Sequence, residues 1–147
     1  MFKLLFSFFL IVHILGDFYF QSDSLSGKKQ RKYGYVVLHG LVYLLVSLVC
    51  AIPFWSAALA LSAVILSILH FAADSVKFVC IKGKEPNAAV FAADQLIHVF
   101  CIACAASFLS YLNCGLRFLP AISGFLSAIT GDPYSILAWA GLLLMAM

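Results

Sequence analysis

The sequence predicts an all-α fold: a polytopic membrane helix bundle of four antiparallel core helices plus one or two short C-terminal membrane segments. Two observations predict it. The chain of 147 residues is 65% hydrophobic and only 10% charged, with a mean hydropathy of +1.08, whereas a soluble domain is about half apolar and about a quarter charged. Its apolar residues also gather into runs near the roughly 20-residue length that crosses a bilayer, divided by short polar breaks. The length fits a single domain, residues 1–147.

Leu4–Phe20 is the first candidate span. The opening stretch MFKLLFSFFLIVHILGDF looks like a signal peptide, but no small-x-small cleavage site follows. His13 and Asp17 also interrupt the run, so an uncleaved first helix is expected. A polar, basic loop follows, SDSLSGKKQRK. Tyr35–Ala51 is the second span, and Pro53 marks a tight uncharged turn. The third span runs from Phe54 to about Phe78, and IKGKEPN forms the second basic loop. Ala88–Leu112 is the fourth span. Connections this short make the four spans antiparallel neighbours. The stretches LRFLPAISGFLSAIT and PYSILAWAGLLLMAM are short for spans and broken by Pro120, Gly124, Gly131 and Pro133. They read as one span with a re-entrant piece, or as two short spans.

The net charge of +3 reflects basic loops and points away from nucleic-acid binding. Lys28, Lys29, Arg31, Lys32, Lys77, Lys82 and Lys84, seven of the nine basic residues, lie in or beside the two polar loops. The positive-inside tendency then places those loops in the cytoplasm and the Pro53 turn outside. The KKQRK run is a topology signal on this reading, and Gly16 reads as a close-packing position between helices. The five cysteines, an odd number set mainly in apolar runs, read as small buried thiols.

The informative residues are the polar ones inside the spans. All four histidines, His13, His39, His70 and His98, lie there, with three of the six acidic residues, Asp17, Asp74 and Asp94. Each such group costs about 2.5–3.5 kcal/mol on insertion scales, so scattering seven of them would be hard to tolerate. They are not scattered. His13/Asp17, His70/Asp74 and Asp94/His98 are each four residues apart, which puts each pair on one helix face. Folding the third and fourth spans about Lys84 sets His70 and His98 both 14 residues from the centre, and Asp74 and Asp94 both 10. Folding the first pair about Lys28 sets Asp17 and His39 both 11 away, and His13 and Tyr43 both 15. At about 1.5 Å per residue, all seven groups fall in one slab near the cytoplasmic side.

Imidazoles and carboxylates converging in a helix-bundle core make a metal site. The donor types suit zinc, manganese or iron. Seven donors exceed one tetrahedral zinc, so either two ions bind or some groups support the ligands. Asp17, Asp74 or Asp94, if not a ligand, would serve as general base. Lys77 would hold an anionic head group or stabilise developing charge, pair with Asp74 or snorkel to the interface. Gln21 and Tyr43 share the stripe, while Gln95 neighbours Asp94 but points partly away. The slab's depth favours a metal-dependent hydrolase of a lipid or lipid-linked substrate reached from the inner leaflet. A metal-ion or proton transporter, haem bound between His70 and His98, and a non-enzymatic membrane scaffold are the alternatives. The apolar outer halves of the spans count against a path through the membrane.

The stretch His13-Ile-Leu-Gly16-Asp17-Phe18-Tyr-Phe-Gln21, with His39, His70-x-x-x-Asp74-x-x-Lys77 and Asp94-Gln95-x-x-His98, resembles a family of small bacterial membrane proteins, domain of unknown function 3307. The resemblance spans about residues 1–105. It implies the bacterial inner (cytoplasmic) membrane as the setting and supplies no mechanism. In site chemistry alone, the chain is also similar to membrane metal-dependent hydrolases that use intramembrane histidine and aspartate.

Overall fold

A computed structural model describes residues 1–54, 56–81, 87–132 and 134–136. The described residues form helices and no strand. Helix α1 (Phe2–Ile14) runs directly into a π-helical turn, Leu15–Tyr19, and is followed by α2 (Asp23–Lys29) and α3 (Tyr33–Ala51). A 3₁₀ turn, Ile52–Phe54, leads to α4 (Ala57–Ile81), α5 (Ala88–Tyr111) and α6 (Pro120–Thr130).

Local chemistry sets the ends. The Ser22 hydroxyl accepts from the Leu25 amide at 3.2 Å and caps α2, whose last turn carries Lys28 and Lys29 where the helix dipole favours cations. Pro53 cannot continue the ladder of α3. Ser56 and Asn87 cap α4 and α5 through the amides of Leu59 and Val90. Asn113, at φ 57°, takes the left-handed position that ends α5. The amides of Asn113 and Cys114 then return to the carbonyls of Ser110 and Leu109, the paired bonds of a Schellman motif. Pro120 opens α6 and Gly131, at φ 74°, closes it.

Four segments are long and apolar enough to cross a membrane: Phe2–Tyr19, Tyr33–Phe54, Ala57–Ile81 and Ala88–Tyr111. The chain is an integral membrane protein. These helices form a ring in which α1 lies against α5 and α3, and α4 lies against α3 and α5. The half of the bundle away from the α2 loop is apolar, packed with Leu5, Phe8, Phe9, Phe54, Leu59 and Ile102. The other half buries His13, His39, His70, Asp74, Asp94 and His98. Large apolar side chains such as Leu45, Val79 and Phe100 face outward, the arrangement a lipid solvent requires.

One expectation changes. The stretch 22–32 is not merely a loop, because its cap and Lys-rich C-terminus form α2, which packs on α3. Helix α6 has 11 residues, none of them buried. At about 1.5 Å per residue it is too short to cross a bilayer alone. The segment PYSILAWAGLLLMAM and the loop containing Lys82 and Lys84 lie largely outside the described residues.

Candidate metal centre

Each ring neighbour brings polar groups to the same level. The end of α1 carries His13, and the π turn that follows carries Asp17. Helix α3 supplies His39 and Tyr43, α4 supplies His70, Asp74 and Lys77, and α5 supplies Asp94, Gln95 and His98. The depth pairing expected from the hairpins is present: the His70 and His98 rings lie 4.3 Å apart, and Asp17 Oδ1 is 3.2 Å from His39 Nε2.

The tightest set joins the two hairpins. His39 Nε2 and His70 Nε2 are 3.0 Å apart, and Asp17 Oδ1 lies 3.2 Å from each. Asp74 Oδ2 follows at 3.4 Å from His39 Nε2 and 3.6 Å from His70 Nε2. Ligand bonds of about 2.0–2.1 Å in a tetrahedron give ligand–ligand edges of about 3.3 Å. The three edges of the His39, His70 and Asp17 triangle are therefore close to those of a tetrahedral metal site, with Asp74 Oδ2 farther from both imidazoles. Asp17 Oδ1, though near both rings, receives a well-aligned hydrogen bond from neither and is buried without one. The His39–His70 contact is a hydrogen bond when one ring carries its proton on Nε2; with both Nε2 atoms unprotonated, the two imidazoles and Asp17 Oδ1 would present lone pairs that a cation would satisfy.

A second group lies beside it. His98 Nδ1 is 2.9 Å from the Asp94 carbonyl oxygen, which can only accept, so Nδ1 carries the proton and Nε2 keeps its lone pair. That Nε2 is buried and has no partner among the described residues. A backbone carbonyl fixing the tautomer of a histidine is a common support for a metal ligand. Donor atoms of Asp74, Asp94 and His98 lie within 4.8 Å of one another, as do those of His13, Asp17 and His70. Asp74 also belongs to the His39/His70 group, so its carboxylate stands between the two clusters. His39 Nδ1 and His70 Nδ1 have no partner among the described residues.

The neighbours expected to support the donors are placed differently from one another. Tyr43 lies flat on His70, with ring centroids 3.8 Å apart and planes 10° apart, and fixes that imidazole's orientation. Gln21 Oε1 accepts from Lys29 at 2.8 Å. Gln95 does not point away, because its Oε1 is 3.3 Å from His13 Nε2. The α5 helix turns that side chain toward α1, which lies against it. Lys77 pairs with Asp94 at 2.6 Å rather than with Asp74. The lysine on Asp74 is Lys29, whose ammonium lies 3.0 Å and 3.2 Å from the two carboxylate oxygens. Sequence reasoning had left Lys29 in the topology signal. The readable clue was Ser22 as a helix cap, which turns the loop into α2 and aims one lysine inward.

These groups border a cavity of about 250 Å³ at the α2 end of the bundle, with Asp17, Asp74, Asp94, Lys29, Lys77 and Gln21 among its lining residues. Phe18, Phe78 and Phe91 supply apolar wall. The model of a family described as "Protein of unknown function (DUF3307)" matches residues 5–122 of the chain. No curated protein and no solved structure matches it.

Proposed function

The chain belongs to this DUF3307 family, and we propose that it is a membrane-embedded, metal-dependent hydrolase whose ion is held by Asp17, His39 and His70, with the fourth position left to water beside Asp74. The observation that carries this reading is the 3.0–3.2 Å triangle of His39 Nε2, His70 Nε2 and Asp17 Oδ1. Two imidazoles and a carboxylate suit zinc, manganese or iron. The His98, Asp94 and His13 donors offer room for a second ion.

When bound, the ion supplies Lewis-acid activation of water, lowering its pKa toward neutrality. The rest falls to the chain. Asp74 stands at the longer edges of the set and also lines the cavity, so it is placed to take a proton from an entering water as general base. Lys77 pairs with Asp94 at 2.6 Å and fixes the position of its carboxylate. Tyr43 keeps the His70 ring from turning.

The lysine-rich α2 end is cytoplasmic on the positive-inside tendency, which puts the cavity mouth at the inner leaflet of a bacterial cytoplasmic membrane. A lipid or another membrane-associated molecule is the substrate suited to that position. The apolar outer half, packed with Leu5, Phe8, Phe9 and Phe54, favours this reading over a transporter, which needs a polar route across the whole bilayer.

Metal analysis by mass spectrometry on protein purified without chelators is the direct test. Wild type is expected to carry near-stoichiometric metal, and His39→Ala or His70→Ala to lose most of it. Sub-stoichiometric metal in wild type, unchanged by His70→Ala, would sink the proposal.

A further inference from the structure

Two lysines at the site are placed unlike the other basic residues of their region. Lys28, Arg31 and Lys32 are exposed. Lys29, in the same run, folds inward from α2 until its side chain is only 11% exposed. Lys77, from α4, reaches the same cavity with 19% exposure. A lysine kept only as a topology signal or an interface anchor would extend its ammonium to water or headgroups. These two converge on one cavity from different elements.

Their charge has to be balanced in the working state. Asp17, Asp74 and Asp94 contribute −3 to the cavity and Lys29 and Lys77 contribute +2, so the sum with neutral imidazoles is −3 + 2 = −1. One divalent ion makes that +1, and a second makes it +3. Net positive charge between helices of low dielectric is costly unless an anion joins it. The Lys29 ammonium, set on Asp74, stands at the cavity wall.

We propose that the cavity binds the phosphate group of a phosphoester, with Lys29 and Lys77 as its cationic clamp; this rests on the metal reading above. Phosphate is the anion the geometry favours. It offers several acceptor oxygens to several cations at once, where a carboxylate offers two, and lysine serves it as a point charge. Phe18 and Phe91, exposed beside the cavity, provide apolar rim for the rest of the molecule. Hydrolysis then needs water alone. The water oxygen bonds to phosphorus, the ester P–O bond breaks, and the water's proton passes through Asp74 to the departing alkoxide.

The test uses full-length protein in detergent, loaded with zinc and freed of excess, titrated with inorganic phosphate by calorimetry. Metal content is read separately by mass spectrometry. Wild type is expected to bind phosphate, and Lys29→Gln/Lys77→Gln to lose about tenfold or more in affinity while retaining metal. Lys29→Arg/Lys77→Arg retains binding and guards against a folding defect. Lys28→Gln/Lys32→Gln, on exposed lysines, leaves affinity unchanged. Phosphate released from phosphatidic acid in mixed micelles, but not from glycerol phosphate, supports a lipid source; the reverse supports a soluble phosphoester. Metal-loaded wild type that binds no phosphate, or a glutamine double variant that binds it equally well, overturns the anion assignment alone. Wild type that takes up no metal overturns the metal reading with it.

Discussion

Gly16 shows how one residue's missing side chain reaches the site. A Cβ there would stand 2.6 Å from Tyr43 Cδ2, and Tyr43 is the ring stacked on His70. Gly16→Ala is therefore expected to destabilise the protein by about 1–3 kcal/mol, as overpacking does, and to weaken metal binding through a displaced His70. Thermal unfolding in detergent and metal content check the two effects together. The Lys77–Asp94 pair, at 2.6 Å, makes a second residue-scale case. Asp94→Asn removes the partner of a partly buried ammonium and should cost about 1.5–3 kcal/mol. Adding Lys77→Met should recover part of that loss, because no charge is then left unpaired. Strictly additive costs in that double-mutant cycle would mean the pair is not coupled.

Among the elements, the seam between α3 and α4 is the closest-packed test. A Cβ on Gly40 would lie 2.9 Å from Phe71 Cδ2 on the facing helix. Gly34, near the start of α3, has nothing within 4 Å of such an atom. Gly40→Ala should lower the unfolding temperature, whereas Gly34→Ala should fall within about 0.5 kcal/mol of wild type. Equal effects at the two positions would show that α3–α4 packing is not the constraint. The π turn Leu15–Tyr19 was not legible in the sequence. Hydropathy and the His13–Asp17 spacing assume i→i−4 bonding, but the Phe20 amide bonds the Leu15 carbonyl at 2.8 Å, one residue further back. Such turns appear often at functional sites, and this one carries Asp17 into reach of His39 and His70.

For the whole molecule, ligand linkage gives a reading independent of activity. Metal that binds only the folded bundle should stabilise it by about 2.7 kcal/mol at a hundredfold excess over the dissociation constant. A chelator should reverse that gain, and His70→Ala should abolish it. An unfolding temperature indifferent to metal would remove the reason for the polar core. Orientation is tested by a single cysteine at Lys32 in a cysteine-free background. An impermeant maleimide should label it from the cytoplasmic side only, and labelling of intact cells from outside would invert the topology and the side from which the site opens.

By itself, the sequence determined the membrane setting, the four spanning helices and the common depth of His13, Asp17, His39, His70, Asp74, Asp94 and His98. Apolar run length and a constant helical rise are local properties, and folding two hairpins adds only a pivot. The tertiary structure decided which of the seven meet. Helix rotation and neighbour order bring Asp17 of the first hairpin segment against His70 of the second, at 3.2 Å. They also give Lys29 to Asp74 and Lys77 to Asp94. Those pairings depend on how four helices turn about their own axes when they pack, and spacing along any one helix does not specify that angle between chains of contacts from different helices.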